Sequence, residues 1–307
     1  MKKQTILECG LPLCPIKKSK KINDVGMSFL ACKKCNILRI PPKELLYFKV
    51  PTDQINNNGL IMSILFEMRM WWLKKELPIL NNKGINILDV GCGDGQFIVF
   101  LKKKMFTNVI GIEPDNDRAR NARQKKIPVY SDFNDHKAIN FLQKGVDVMF
   151  LWHVLEHIEQ PIYFVKSLVK YLPKNGLLLI SVPNHLSIQT RLFGYYSSFP
   201  DYGRHIWYHN KGYVNFLEKI LPSYNIQFIN DKNYEYEIFS WIDSFVSFLA
   251  RDQNFIHKSL KKGQGGKCKK LLALFMSFFL LPIALLFSLI SLLTQNGSTL
   301  TFAIRKR

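Results

Sequence analysis

A glycine-rich turn in the middle of the chain constrains the fold more than any other feature of the sequence. The apolar run 85–90 leads into Gly91, Gly93 and Gly95, and an amphipathic segment follows. Glycine permits a tight turn and lets a ligand approach the backbone, while a helix that begins after the turn presents free N–H groups. The pattern therefore predicts a strand, a ligand-binding turn and a helix, the first unit of an α/β fold.

The alternation of apolar and amphipathic segments continues beyond this turn. Strands are predicted at 85–90, 108–113, 127–130, 146–152 and 177–182, with helices between them near 95–105, 115–125, 134–143 and 160–172. Continuous apolar strands separated by helices are typical of a parallel sheet with both faces covered. We therefore predict a doubly wound α/β domain. The pattern adds helices at 60–77 and 211–221, strands at 225–230 and 298–304, and an irregular aromatic stretch at 184–210.

The residues around the turn indicate which class of cofactor it binds. Glu113 ends the second predicted strand, where a carboxylate can accept hydrogen bonds from both ribose hydroxyls of an adenosine ligand. The third glycine comes one residue earlier than a dinucleotide site requires, and the Gly-Lys-Ser/Thr of a Walker loop is absent. The spacing therefore favours an adenosine ligand other than a dinucleotide, with NAD as the alternative.

Five segments, in order along the chain, resemble class I S-adenosylmethionine-dependent methyltransferases. Residues 88–95 resemble motif I of this family. Residues 111–115 resemble its ribose-binding strand end, and residues 131–133 contain an acid where the family has one near adenine. Residues 150–157 resemble the segment that follows strand four, and residues 177–184 resemble strand five. The resemblance implies a Rossmann-like, seven-stranded sheet that binds S-adenosylmethionine. The residues that it implies at the cofactor are Asp89, Gly91, Cys92, Gly93, Gly95, Glu113, Pro114, Asp132, Phe133, Trp152 and His153.

Two histidines after the fourth predicted strand are candidates for acceptor chemistry. A sulfonium is a good leaving group, so a base is needed only for a hydroxyl acceptor, and histidine titrates near neutral pH. His153 and His157 are four residues apart, which is compatible with one helical face. With Glu156 they could also bind a divalent metal, as in some quinone O-methyltransferases that the chain resembles. Those enzymes tend to have glutamate in place of His153, and such histidines often cap helices or pack near the cofactor instead.

A third histidine lies in the aromatic and basic segment Tyr-Gly-Arg-His-Ile-Trp-Tyr-His at 202–209. Acceptor pockets in this fold are built from such insertions above the carboxyl ends of the strands. The segment resembles the Arg-His-Leu-Trp-His segment of bacterial methyltransferases of glycan and lipid-linked sugar pathways. We therefore predict His205 as the first choice for substrate contact or general base, with His153 and His157 as further catalytic candidates.

Four cysteines near the start of the sequence form two pairs. Cys9 and Cys14, followed by Cys32 and Cys35, have the arrangement of a tetrahedral zinc ribbon, in which four thiolates close the coordination shell. Many of the methyltransferases that the chain resembles carry a similar N-terminal ribbon. We predict a structural zinc in a zinc-ribbon-like module at 1–50, and the alternative is free cysteines in a short basic arm. The cysteine usage favours a reducing, cytoplasmic compartment.

Positive charge is concentrated towards the two ends of the sequence. The chain has 43 Lys and Arg against 23 Asp and Glu, a net charge of +20. Residues 1–50 hold 11 basic and 3 acidic side chains, and residues 251–307 hold 10 basic and 1 acidic. Such an excess implies an anionic partner, either a membrane surface or nucleic acid. The first residues do not have the pattern of a secretory signal.

The uncharged apolar run 271–293 favours a membrane as this partner. It is long enough to span a bilayer, but the predicted strand 298–304 must return to the sheet on the same side. Because Pro282 divides the run, we expect a shallow helical hairpin or a kinked helix in the interface, flanked by lysines that attract anionic headgroups. A buried soluble hairpin and a single span are the alternatives. The expected domains are 60–236 plus 297–307 for the methyltransferase and 237–296 for membrane association.

These features together predict an S-adenosylmethionine-dependent methyltransferase at the cytoplasmic face of the membrane. We expect it to O-methylate a membrane-proximal or lipid-linked acceptor of the glycan type, and a quinone-pathway O-methyltransferase is the nearest alternative. A nucleic-acid-binding or RNA-modifying protein is disfavoured because RNA binding has no use for the apolar segment. A membrane scaffold with an inactive methyltransferase fold is the remaining alternative. The acceptor's identity and the oligomeric state do not follow from the sequence.

Overall fold

A computed structural model describes residues 16–22, 27–32, 37–40, 59–198, 205–229, 234–260 and 266–307. The strands in these ranges are β1 (Ile16–Ile22), β2 (Met27–Cys32), β3 (Leu38–Arg39), β4 (Ile87–Val90), β5 (Val109–Ile112), β6 (Val129–Tyr130), β7 (Val148–Trp152), β8 (Leu177–Pro183), β9 (Trp207–Tyr208), β10 (Tyr224–Phe228) and β11 (Thr299–Lys306). The helices are α1 (Gly59–Glu76), α2 (Gln96–Lys103), α3 (Asn116–Gln124), α4 (His136–Gln143), α5 (Pro161–Val169), α6 (Ile188–Phe193), α7 (Lys211–Ile220), α8 (Tyr234–Ala250), α9 (Phe255–Leu260) and α10 (Lys267–Leu293). Short 3₁₀ turns lie at Pro78–Asn81, Leu155–His157 and Gly194–Tyr196.

A seven-stranded sheet forms the centre of the fold, in the order β10-β11-β8-β7-β4-β5-β6. Strands β4 to β8 pair in parallel, and β11 runs antiparallel between β8 and β10. The chain leaves β4 towards β5 and β6 and then crosses back to β7 on the other side. Such a switch in strand order opens a crevice at the carboxyl ends of the strands, where ligands of open α/β sheets bind. The predicted doubly wound, seven-stranded fold is confirmed.

The central strands are buried because helices cover both faces of the sheet. Every residue of β4, β5 and β8 is buried, and their sequences are continuous apolar runs broken by few polar positions. Caps fix where the helices begin: the Asp115 carboxylate accepts the backbone N–H groups of Asp117 and Arg118 at the start of α3. The sheet and its helices therefore hold the carboxyl ends of β4, β5 and β7 as one rigid edge.

A second, smaller sheet joins the N-terminal strands to the methyltransferase-like body in the order β1-β2-β3-β9. The β3–β9 pairing is supported by the Ile40 backbone N–H, which donates to the Ile206 carbonyl at 3.1 Å. The Arg39 guanidinium lies 5.0 Å from the centre of the Trp207 ring. The N-terminal strands therefore share a sheet with the segment that carries His205.

The predicted zinc site falls largely outside the described residues. Cys32 is buried at the end of β2 and takes part in a disulfide bond, whereas Cys9, Cys14 and Cys35 lie outside the described ranges. The structural zinc stays a prediction.

The apolar run 271–293 folds differently from the predicted hairpin. It forms one continuous helix, α10, with Pro282 inside it. Proline removes a single backbone donor, and α8 packs against α10 on both sides of that position: Val246 lies in one apolar cluster with Ala273, and Trp241 contacts Phe287. The expectation of a hairpin is wrong because this packing outweighs the proline. The other expectation, of a kinked helix that lies in the membrane interface, stays a prediction.

Two further elements differ from the sequence pattern. The stretch 184–210, expected to be irregular, contains α6, whose Ser187 cap accepts the Thr190 N–H at 3.0 Å. The predicted strand 127–130 shortens to Val129–Tyr130, since Ile127 still bonds the carboxyl end of α3. Helix α8 begins at Tyr234 and was not predicted; it crosses the expected domain boundary at residue 236.

Candidate active site

The glycine turn follows β4 and bends towards the neighbouring strand β5. The Gly91 backbone N–H donates to the Ile112 carbonyl at 2.8 Å, and Gly91 has a φ of +71°. A Cβ at this position would lie 2.4 Å from a methyl group of Val154. A side chain is therefore excluded here both by backbone conformation and by the segment that follows β7.

Glu113 binds the glycine turn directly. Its Oε2 accepts the Gly93 backbone N–H at 2.7 Å, and its Oε1 accepts the Asp115 N–H at 3.0 Å. A Cβ on Gly93 would meet nothing within 4 Å, so the turn borders open space on this side. A buried carboxylate beside an open backbone turn has the chemistry to hold the ribose of an adenosine ligand, since its oxygens retain further acceptor capacity.

Asp89 is a buried carboxyl group below the turn, and its charge is sensitive to its surroundings. Burial raises its pKa to about 7; the nearby Arg69 guanidinium opposes this rise, and the Glu113 carboxylate adds to it. A cationic ligand above β4 would favour the ionised form. Asp89 therefore has the electrostatic properties expected of a group that binds a sulfonium or ammonium ligand.

Arg69 was not identified from the sequence, although it lies at the centre of this site. Its guanidinium donates to the Tyr236 hydroxyl at 3.0 Å and lies 4.4 Å from the centre of the Trp152 ring. The rings of Phe66 and Phe97 lie at 5.1 Å. A buried arginine enclosed by aromatic rings forms cation–π contacts and offers a site for an anion. The feature of the sequence that could have indicated Arg69 is a basic residue within the mainly apolar part of α1.

The remaining predicted cofactor residues line the same edge of the sheet. Asp132 is exposed after β6, and its Oδ1 accepts the Asn134 N–H at 2.6 Å. Phe133 is half-buried against Phe164, with ring centres 6.1 Å apart. Pro114 is exposed next to Glu113. Burial raises the pKa of the Cys92 thiol far above its usual range, so Cys92 is a neutral packing residue in the turn.

His153 and Glu156 form a polar pair beyond the end of β7. His153 has a φ of +55°, its N–H donates to the Ser181 carbonyl at 2.9 Å, and its Nδ1 lies 3.4 Å from Glu156 Oε1. Burial opposes ionisation of Glu156, but His153, His205 and His157 outweigh it and hold its pKa at about 2. The carboxylate is therefore charged at neutral pH.

Glu156 also faces the two other predicted histidines. The ligand atoms of Glu156, His157 and His205 all lie within 4.8 Å of one another, and the two imidazole centres are 4.9 Å apart. Two imidazole nitrogens and a carboxylate form a set that can bind a divalent cation. His157 lies in the 3₁₀ turn Leu155–His157 and His153 precedes it, so the idea that they share a helical face is wrong.

His209 is a further polar residue of this region that the sequence did not single out. Burial lowers its pKa to about 3, so its ring is neutral at physiological pH. Its carbonyl contacts His185 Nδ1 at 2.7 Å, and its ring lies 4.8 Å from that of Tyr213.

Comparison with known proteins agrees with this geometry. Residues 69–219 match a family described as a methyltransferase domain. The chain is 30% identical over 169 residues to the ubiquinone biosynthesis O-methyltransferase of Rickettsia typhi, an alignment that covers 50% of this chain and 65% of that protein. It is 29% identical over 107 residues to the tRNA U34 carboxymethyltransferase of Alteromonas mediterranea, covering 32% of each chain.

A solved structure with a similar chain path is that of the plantazolicin methyltransferase BamL in complex with a triazolic desmethylPZN analog and SAH. It covers 83% of this chain and 88% of its own, with 18% identity and a TM-score of 0.48. The chain spans just under two thirds of the length of the Rickettsia typhi relative. Residues 69–219 therefore match a methyltransferase domain, and their strand order and glycine turn are similar to those of class I, S-adenosylmethionine-dependent methyltransferases.

Proposed function

We propose that the protein binds S-adenosylmethionine at the carboxyl ends of β4 and β5 and transfers its methyl group to an acceptor hydroxyl. The observation that carries this proposal is the Gly93 turn, which borders open space while Glu113 accepts its backbone N–H. Glu113 would bind the ribose, and Asp89 and Arg69 would bind the charged methionine part. When bound, the cofactor supplies a methyl group on a sulfonium.

The chain's own residues would orient the acceptor and remove its proton. We assign the general base to His153, because Glu156 lies 3.4 Å from its Nδ1 and stabilises the imidazolium that forms. His205 and His157, on the other side of Glu156, would contact the acceptor oxygen. Transfer from a sulfonium is an in-line displacement, so most of the rate comes from this positioning in a site that excludes water.

We infer that the acceptor is a membrane-proximal molecule of the lipid-linked glycan type, modified at the cytoplasmic face of the membrane. The exposed apolar helix α10 and the basic side chains before it support this location. The quinone-pathway alternative is favoured by one observation, the name of the Rickettsia typhi relative, a ubiquinone biosynthesis O-methyltransferase. Both acceptors carry a hydroxyl on a membrane-held molecule, so the same base serves either.

Isothermal titration calorimetry with S-adenosylmethionine tests the cofactor site. We expect saturable binding by the wild type, at least tenfold weaker binding by Asp89→Ala, and loss of binding by Gly93→Val. Gly93 has a φ of +57°, so a branched side chain there would strain the turn and also enter the open space. Gly84→Ala is the matched control, since its added Cβ would make only an ordinary contact at 3.5 Å. Failure of the wild type to bind the cofactor would refute the proposed function.

A labelling experiment identifies the acceptor class. The protein is incubated with methyl-labelled S-adenosylmethionine and with separated lipid, quinone and RNA fractions of bacterial cells. We expect label in a lipid-linked glycan, and we expect His153→Ala to lower the rate about 10²- to 10⁴-fold, the usual contribution of a general base. His136→Ala, an exposed histidine at the start of α4, is the control. Label in the quinone fraction supports the alternative, and label in RNA alone contradicts both.

A further inference from the structure

Helix α10 has the reverse of the residue pattern that a helix of a water-soluble protein shows. Its buried residues are small or polar: Ala273, Ala284, Ser288 and Ser291. Its large apolar side chains point outward, and the exposed ones are Leu271, Leu272, Leu274, Phe275, Phe278, Phe279, Leu281, Ile283, Leu285, Leu286, Leu289, Ile290 and Leu293. Water disfavours such a continuous apolar strip, and strips of this size mark sites of contact.

The outward strip extends along the whole of α10. The helix has a mean hydropathy of 2.5 in its most apolar window, and only 17% of that window is buried. At 27 residues it is about 40 Å long, since each residue adds about 1.5 Å. Leu271, Phe278 and Leu293 are each more than 70% exposed, so the strip reaches from one end of the helix to the other.

Helix α8 packs beside α10 and also buries small polar residues, although its Trp241 and Val246 are buried as well. Ser240, Ser244 and Ser247 are buried, while Phe248 and Leu249 are about half exposed. The seam between the helices contains polar contacts: the Trp241 indole N–H approaches both Glu237 Oε1 at 3.0 Å and Ser291 Oγ at 3.1 Å. We call α8 and α10 the reversed helix pair. The pair buries polar groups along its seam, while the large apolar side chains of α10 face outward, an arrangement suited to an apolar surrounding.

The reversed helix pair is fixed to the methyltransferase body along its inner side. The Gln189 amide donates to Ser240 Oγ at 3.0 Å, and the Ser198 N–H donates to Ser244 Oγ at 2.9 Å. Near the start of α8, the Tyr236 ring lies 4.9 Å from that of His153. A helix held against the body over its length cannot cross a bilayer without drawing the body in with it. α10, layered on α8, must therefore contact a bilayer with its outer side only.

Charge at one end of the pair indicates which surface it fits. Lys267, Lys269 and Lys270 form the first turn of α10, and α10 contains no acidic residue. Arg251 lies at the same end, after α8, while Lys258 is paired with Asp252. Basic side chains next to an apolar strip complement anionic headgroups next to acyl chains.

We propose that the reversed helix pair docks flat on an anionic phospholipid bilayer, with the outer strip of α10 inserted at the boundary between headgroups and acyl chains. Since α8 also contacts His153, the docking surface and the active site share one helix. It follows that the reactive headgroup of the acceptor reaches the active site from the bilayer surface. This consequence rests on the proposed methyltransferase function.

Vesicle flotation of the full chain tests the docking. We expect the wild type to float with vesicles of phosphatidylcholine and phosphatidylglycerol (3:1), and at least tenfold less with phosphatidylcholine alone. Phe278→Glu with Phe279→Glu should lower the bound fraction at least tenfold, and Lys267→Glu with Lys269→Glu and Lys270→Glu should abolish the preference for the anionic lipid. Met105→Glu, which alters an exposed apolar residue after α2, is the matched control.

Light scattering and calorimetry on the same samples make each outcome interpretable. Variants are compared only if they retain the wild-type circular dichroism spectrum and scatter light as the wild type does, and the milder pair Phe278→Ser with Phe279→Ser serves if the glutamate pair unfolds. Wild-type protein that stays unbound to both vesicles, or a dimer that covers the strip and ignores vesicles, would overturn the docking. Flotation without cofactor binding would overturn the methyltransferase function while leaving the docking supported.

Discussion

Asp89 is a residue of the site whose protonation changes near neutral pH. Its carboxyl is buried between Arg69 and Glu113, and burial raises its pKa from 3.8 to about 7. The pKa of Asp89 is higher in the folded protein than in the unfolded chain. Protonated Asp89 therefore contributes to the stability of the fold, and this contribution is complete below pH 3.8. That contribution is lost as the pH rises from 3.8 to 7. A cationic ligand has the opposite preference, for the ionised form.

Cofactor affinity should therefore depend on pH through Asp89. We expect the affinity for S-adenosylmethionine to rise between pH 5.5 and pH 7.5, by at most about tenfold per pH unit below the pKa, and to level off above it. Titration calorimetry at fixed ionic strength measures this change. Asp89→Asn should bind more weakly and give a flat profile. A wild-type profile equally flat over this range would show that Asp89 does not ionise on binding.

The residues of the glycine turn could be predicted because their chemistry is local. Gly91, Gly93 and Glu113 follow from a turn and a strand end that are visible in the sequence. Arg69 could not be predicted in the same way, because α1 brings it to the turn through tertiary packing. The sequence suggested Glu156 only as part of a metal site. Its proximity to His205 depends on the long-range pairing of β9, and the spacing of residues in the sequence does not reveal that pairing.

At the scale of elements, the pairing of α8 with α10 depends on small inward residues. Ala284 is fully buried on the inner side of α10, whereas Leu286, two positions later, is 56% exposed. Small residues let two helices approach closely, and a larger one there forces them apart. The apolar run was visible in the sequence, but its orientation was not, because only the packing shows which face is buried.

Substitution should lower the stability of the fold at Ala284 and leave it almost unchanged at Leu286. We expect Ala284→Leu to lower the free energy of unfolding by about 1–3 kcal/mol through overpacking. Leu286→Gln, which exchanges an exposed leucine for another good helix former, should change it by less than about 0.5 kcal/mol. Chemical denaturation followed by circular dichroism, in detergent-free buffer, measures both. A larger loss from Leu286→Gln than from Ala284→Leu would mean that the outer strip is the packed side.

At the scale of the whole molecule, the cofactor site joins elements that are far apart in the sequence. Arg69 comes from α1, the glycine turn follows β4, and Tyr236 comes from α8. The fold class and the order of the sheet strands were predictable from alternating segments, since that pattern is continuous from 85 to 182. The attachment of the N-terminal strands through β9 was not, because it is a long-range pairing of two short strands.

A ligand that joins these parts should stabilise the whole fold. With S-adenosylmethionine at a hundred times its Kd, binding contributes about 2.7 kcal/mol, which corresponds to a rise in Tm of roughly 5–10 °C for a domain of this size. Differential scanning fluorimetry measures the shift. Glu113→Ala should show little shift at the same cofactor concentration, because the ribose contact is lost. An equal shift in both proteins would place the ligand elsewhere.

The position of β11 has a practical consequence for any attempt to remove the exposed apolar surface of α10. β11 follows α10 in the chain but lies inside the sheet, between β8 and β10. A shortened gene that stops before the apolar helix would therefore remove an interior strand and leave β8 and β10 with exposed edges, which promotes aggregation. That surface is better made polar by internal redesign, which replaces the outward leucines and phenylalanines of α10 and keeps its inner alanines and serines and the strand that follows it.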